Sequence, residues 1–419
     1  LERIERGLPA MKDWTELGLR GLPSLSARTR PAAYPPFLQP ILDGAAASLA
    51  RPLVGISADG TVRPGLFPLR ATGVATAPIL DAAHNFLAAL DTTQRAKVVL
   101  DAAADERRTW FNIHPNFYRH GLMLEDLAPA QRDAAMRLME ATLSARGFAQ
   151  ARDIMRLNGL LVDITGRSED FGEWPYFVAL FGTPSADAAW GWQIDGHHLN
   201  LNFFVLGDQL VFTPSFMGSE PCRVTSGSLA GTAVFVPEAR AGLALMRALD
   251  ESQSRKAVLR GSILPDDLPP ELNDLVDGRM VAAAFKDNAV IPYTGVRGNE
   301  LSDAQRRLLL TLVGTYVGWA RDGHAAVKMT EVEAHLDETH FAWMGATGDD
   351  GPFYYRVQSP VVLIEFDHHP GIVFDNLTPS HHHIHTILRT PNGGDYGTDL
   401  LRQHHERFDH SSGQHVRRG

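Results

Sequence analysis

One order of elements is written twice in this chain. The segment "LAPAQRDAAMRLMEATL" from Leu127 has an echo in "LSDAQRRLLLTLVGTYV" from Leu301. Both space apolar residues at three and four, the period of a helix packed on one side. "YFVALFGTPS" from Tyr176 is followed by "WGWQIDGHHLNLNFF" from Trp190, and "HFAWMGATGDDG" from His340 by "FYYRVQSPVVLIEFD" from Phe353. These segments alternate with a period of two and are broken by Gly, Asp and Pro turns, as antiparallel strands are. The offset is about 165–175 residues, which predicts two related halves, each a helical layer followed by a mainly antiparallel sheet. Regular βαβ alternation is missing, so the expected class is α+β. Two such sheets would pack about a pseudo-twofold axis, with a site near it.

The remaining segments fall around these halves. Residues 1–75 are rich in Pro, Gly, Ala and Arg ("RTRPAAYPPFLQP") and predict an extended arm. The first half is expected over 76–220, a mixed linker over 221–290, the second half over 291–400, and a polar His-rich tail over 401–419. A length of 419 residues is ample for a large core. The net charge of -10 leaves no surplus of cations to neutralise phosphates, which argues against nucleic acid and anionic membranes as partners. No apolar run reaches membrane-spanning length, so a soluble protein is expected. A sequence that starts at Leu1 keeps both a cytoplasmic and an exported protein open. Cys222 is the sole cysteine, which excludes an internal disulfide and a thiolate metal cluster.

Histidines stand where strand cores usually carry Val or Ile. If "HHLNLNF" is extended, His198, Asn200 and Asn202 share one face while His197, Leu199, Leu201 and Phe203 share the other. A buried polar face needs partners, because unpaired imidazoles and amides cost a few kcal/mol each. Aligning the halves sets Asn202 against Glu365, with Asp367 two residues on. Further along, "HHHIHTILRT" holds His383 and His385 as an H-x-H pair. On a strand they project to one side, about 7 Å apart at the backbone, a spacing that chelates one cation. His198, His383, His385 and Glu365 then form a three-His-one-carboxylate set suited to Fe, Mn, Cu or Zn rather than Mg or Ca. His197 is a secondary candidate. Arg356 and Arg389 are candidates to clamp a substrate carboxylate. Asn202 and Tyr355 are candidates to donate hydrogen bonds to reacting groups. His114, in "FNIHPNFYRHG", reads as part of a turn and not as catalytic.

The motifs "GLFPLRATGV", "NFYRHGL", "FGTPS", "WGWQIDGHHLNLNF", "FMGSEP", "YYRVQSP", "LIEFD" and "HIHTILRTPNG" carry a family resemblance. From about Gly65 to its end the chain resembles the bacterial and fungal family called Domain of Unknown Function 3500. The resemblance implies no assigned activity. It implies a shared pattern at His197, His198, Asn202, Arg356, Glu365, His383, His385 and Arg389. The chain departs from that pattern at His340, His382 and Gly394, where Tyr, Asn and Asn are usual, so His340 and His382 drop out as ligands.

No phosphate-cradling glycine loop, G-x-S-x-G elbow, H-E-x-x-H or dinucleotide fingerprint is present. Metal chemistry on a small, aromatic or carboxylate-bearing substrate is therefore the leading expectation. The favoured form is a non-haem metal oxidoreductase with Fe or Mn, whose two open positions accommodate substrate and dioxygen. The alternative is a zinc hydrolase with Glu365 as general base. A non-catalytic metal- or ligand-binding protein is the third reading.

Overall fold

The computed structural model describes residues 15–409 and 416–417, apart from 16, 22, 32, 33, 115, 116 and 350. Helices and strands fall into two successive runs of similar order, the first with one closing strand more than the second. After α1 (Gln39–Leu49), the first run holds α2 (Ala77–Ala89), α3 (Thr92–Val98), β1 (Val99–Leu100), β2 (Leu122–Met123), α4 (Pro129–Thr142) and α5 (Ala145–Thr165). Strands β3 (Phe177–Phe181), β4 (Trp190–Gly196), β5 (Leu199–Leu206), β6 (Gln209–Val211) and β7 (Ser215–Ser219) complete it. The second run holds α6 (Val236–Ala248), α7 (Glu251–Ala257), β8 (Val258–Arg260), β9 (Val296–Arg297), α8 (Asp303–Val317) and α9 (Asp322–Ala334). It closes with β10 (His340–Gly345), β11 (Phe353–Gln358), β12 (Leu363–His368) and β13 (Ile384–Arg389), and α10 (Thr398–Arg407) follows.

Local chemistry repeats with the elements. Asp91 and Asp250 cap α3 and α7, each closing a capping box with a glutamine at the third helical position. Gln94 then exchanges amide hydrogen bonds with Gln131 of α4, which also reaches the Ala89 carbonyl at the end of α2. Gln253, Gln305 and Ala248 make the same three contacts in the second run. Each run thus ties its second helix to its third through one pair of side-chain amides, and its first to its third through a backbone carbonyl.

The expectation of two packed sheets is corrected: the strands form one α+β sheet of 13 strands among the described residues. Its central order is β1-β3-β4-β5-β7-β13-β12-β11-β10-β8, and the runs meet where β7 pairs antiparallel with β13. Only β1 with β3 and β8 with β10 are parallel. The supposed linker is not a spacer, since it contributes α6, α7 and β8 to the second run. The arm carries α1 and the tail region is partly α10, while residues 1–14 and 410–415 lie outside the described part.

Both faces of the sheet are buried, with different materials. On one face Trp192, Ile194, Leu199, Leu201, Tyr355, Val357, Ile364 and Phe366 pack into the main core with helix residues such as Leu138, Met155, Leu309 and Val313. The opposite face presents Gln193, Asp195, Asn200, Asn202, Arg356, Glu365, Asp367, His385 and Arg389, all buried. Irregular segments around 109–114 and 276–285 cover much of it, with Trp110, Phe111, Val276 and Phe285 packed on Phe216 and Ile387. Irregular backbone under cover must find hydrogen bonds outside itself, and the polar strand face supplies them.

Two glycines show how tightly the layers meet. Gly121 enters β2 at φ +81, where an added Cβ would lie 2.1 Å from the Val178 carbonyl oxygen. Gly295 enters β9 at φ +97, with the corresponding distance to Phe341 oxygen 2.0 Å. Alanine at either place meets both a left-handed backbone and a carbonyl, so Gly121→Ala and Gly295→Ala should each destabilise by about 2–4 kcal/mol in urea unfolding.

Candidate metal centre

The hairpin between β4 and β5 turns on His197 and His198, which form its corner; they are not the extended strand expected from the sequence. His198 has φ 61, a conformation that costs a residue with a Cβ about 1–2 kcal/mol. Two backbone bonds hold it there: its N–H donates to the Asn112 carbonyl, and its carbonyl accepts from Gly218 of β7. Gly218 also stands opposite His385 in the β7–β13 ladder. A Cβ at Gly218 would lie 3.0 Å from the His385 ring and 3.1 Å from that of His198. A glycine there leaves room for the two rings to meet.

Three imidazoles do meet. The Nε2 atoms of His198 and His385 are 3.1 Å apart, those of His383 and His198 3.2 Å, and those of His383 and His385 2.9 Å. All three side chains are buried. His383 donates its Nδ1 proton to the Pro370 carbonyl at 2.7 Å, which leaves its Nε2 with a lone pair. Burial and neighbouring imidazoles hold the pKa values of His198 and His385 well below the usual range for histidine. Three mutually facing nitrogens cannot all be paired by protons, because each nitrogen either donates or accepts. A divalent cation satisfies all three lone pairs together. The donor set fits a transition metal, for which imidazole is a suitable ligand.

The other sequence candidates occupy different places. Glu365 is corrected as a ligand: its carboxylate accepts from the Val281 and Ala282 N–H groups at 2.9 and 2.8 Å and from the Tyr354 hydroxyl at 2.6 Å. Among the described residues the group of ligating atoms gathered around the three nitrogens includes no carboxylate. Arg389 is fully buried and bonded to Asp287 at 2.7 Å, Asp395 at 3.1 Å and the Ala282 and Ala283 carbonyls, so it cannot clamp a substrate. Arg356 binds Thr294 Oγ1 at 2.6 Å beside Glu365. Asn202 donates to the Pro214 carbonyl and accepts from Gln193. Tyr355 lies on the helix-covered face, hydrogen-bonded to Tyr316 and the Glu238 carbonyl. His197 stacks on His198 at 4.0 Å between centroids, with Nδ1 2.7 Å from Asn158 Oδ1.

Several residues at the site were not selected from the sequence. A cavity of about 120 Å³ adjoins the three imidazoles, and Asn112, His114 and Glu220 contribute to its lining beside the secondary candidate His197. Glu220 accepts from the N–H groups of Ile372, Val373 and Phe374, and it lies 3.6 Å from His383 Nδ1. It stood in view in "FMGSEP", where it served only for resemblance. Burial pushes the His114 imidazole down to about 4, so it is neutral at physiological pH. His369 flanks His383 and His385 at 4.8 and 4.7 Å between centroids, but its Nε2 lies against Gly278.

Asp195 positions the cavity segment by accepting the Phe111 N–H at 3.0 Å and an Asn200 amide proton at 2.6 Å. Burial outweighs these bonds and raises its pKa to about 7. A carboxyl raised in the folded state adds stability that is complete below the unfolded value, near 3.8, and is lost as pH rises through 7. Asp195→Asn removes that dependence. The stability of the variant relative to wild type should climb by up to about 4 kcal/mol between pH 4 and 7 and stay level above, read by denaturant titration.

Comparison with known proteins follows the geometry only so far. A search of curated proteins and a search of solved structures each found no match. Residues 72–398 match the family described as "Protein of unknown function (DUF3500)". That match covers well over half of the 419 residues, and the chain therefore belongs to the DUF3500 family.

Proposed function

We propose that this chain is a metal-dependent oxidoreductase in which His198, His383 and His385 hold one transition-metal ion beside a cavity for a small organic substrate. The observation that carries the reading is the meeting of three buried Nε2 atoms, 2.9–3.2 Å apart, with only one another as hydrogen-bonding neighbours at their tips. Imidazole–metal bonds of ~2.0–2.1 Å across that spacing subtend roughly 90–105° at the ion. Such angles lie between those of an octahedral face and those of a tetrahedron, so the preference for Fe or Mn over Zn rests on Glu365, the base a zinc hydrolase would need, being occupied by two amides and a tyrosine. When bound, such an ion would supply redox chemistry, with dioxygen as the electron acceptor.

The residues themselves shape the site. His383 keeps its lone pair directed inward through its bond to Pro370, and the Glu220 carboxyl lies 3.6 Å from its Nδ1. Largely apolar walls adjoin the three rings. The hydrolytic reading is weakened because its general base, Glu365, is fully engaged by two amides and a tyrosine.

Metal analysis of protein purified without a His-tag tests this directly. The expected result is about one equivalent of Fe or Mn per chain. Stoichiometric zinc would overturn the redox assignment, and absence of any metal after reconstitution would overturn the centre. His198→Ala, His383→Ala and His385→Ala should each weaken metal affinity by more than the ~100-fold reached by outer-shell changes. Glu365→Gln should leave the metal content unchanged.

A further inference from the structure

The cavity at the three imidazoles is built from apolar walls with a few polar atoms, and those atoms specify what fits it. Pro23, Leu25, Leu38, Ile113, Val276 and Val373 supply apolar surface. Part of this wall comes from the N-terminal arm, so the arm closes the cavity instead of lying idle on the surface. Asn112 is 2% exposed, lines the cavity, and its Oδ1 has no hydrogen-bond partner. The Nε2 of His114, also in the lining, is buried without a partner. An orphaned buried acceptor is destabilising unless a bound group donates to it. Glu220, the carboxyl in the wall, is already occupied by the N–H groups of Ile372, Val373 and Phe374.

The protein groups of the wall disfavour an acid, in opposition to the charge of the metal ion, and the benzoate titration below decides between the two. Asn112 Oδ1 and Glu220 both repel a carboxylate. Arg20 is the sole Lys or Arg among the lining residues, and its guanidinium donates to the Gly371 carbonyl at 2.8 Å. Size points the same way. A volume of about 120 Å³ is somewhat below the ~150 Å³ of an apolar cavity that holds one benzene ring. The pocket opens to solvent, so this volume describes its inner part beside the imidazoles, about the size of a short chain or one small ring.

We propose that this cavity binds a neutral, single-ring-sized molecule carrying an O–H or N–H donor, and that Asn112 Oδ1 accepts that proton. The inference rests on the metalloenzyme reading for its chemical purpose, and it names the substrate class of the same site.

Phenol, toluene and benzoate separate the possibilities, titrated into the metal-loaded full chain by calorimetry. Phenol should bind one per chain, about tenfold or more tighter than toluene. Asn112→Leu should erase that preference while metal content stays at the wild-type value. Val276→Phe should fill the cavity and weaken phenol and toluene alike, again with metal retained. Toluene equal to phenol, benzoate tighter than phenol, or a preference that survives Asn112→Leu would each overturn the proposal. If phenol binds through Asn112 in a chain that takes up no metal, the pocket stands and the metalloenzyme reading falls. If metal loads at one equivalent and phenol does not bind, the pocket proposal alone falls.

Discussion

Buried irregular backbone must be hydrogen-bonded, and the arrangement of this protein follows from how that demand is met. One face of the sheet is sealed by helices, whose backbones satisfy themselves. The other is covered largely by coil, whose N–H and C=O groups cannot. Polar side chains on alternate strand positions take the place of a ladder. Glu365 holds the amides of Val281 and Ala282, Asp195 that of Phe111, and Arg389 the carbonyls of Ala282 and Ala283. Asp367 grips Arg279 through two short bonds and accepts its amide. The cost of burying these groups is offset only while the coil stays in place, so coil and sheet order each other.

Against that background the three imidazoles stand apart. Most polar groups on this face point at protein backbone or at an opposite charge. The three Nε2 atoms point at one another. Their meeting depends on the pairing of β7 with β13, because His198 comes from the hairpin of the first run, His385 from the last strand of the second and His383 from the residue just before that strand. Gly218, between them in the ladder, keeps the space clear. Neither run carries the set alone.

Much of this was legible in the sequence. Period-two alternation exposed the apolar and polar faces, and the recurrence of "AQR" ahead of helical spacing marked α4 and α8. The H-x-H pair and the His-His doublet were visible as chemistry because imidazoles are rare in buried strands. The carboxylate assignment failed for a physical reason: a buried acid on a polar face satisfies coil amides as readily as a cation, and sequence does not show which coil lies over it. Asn112 and His114 were missed because their importance comes from an irregular segment with no period to read. His198 was placed on the correct face by the wrong geometry, since a hairpin corner and a strand cannot be told apart at a single residue.

The left-handed backbone of His198 has an evolutionary corollary. Glycine or asparagine would relax that corner, so selection for foldability alone would drift toward losing the imidazole. Phe235, Phe285, Asn392 and Tyr396 also sit at positive φ, so the strain at residue 198 gains a purpose only through the metal centre proposed above. Consensus-style stabilisation of this protein should therefore leave residue 198 alone.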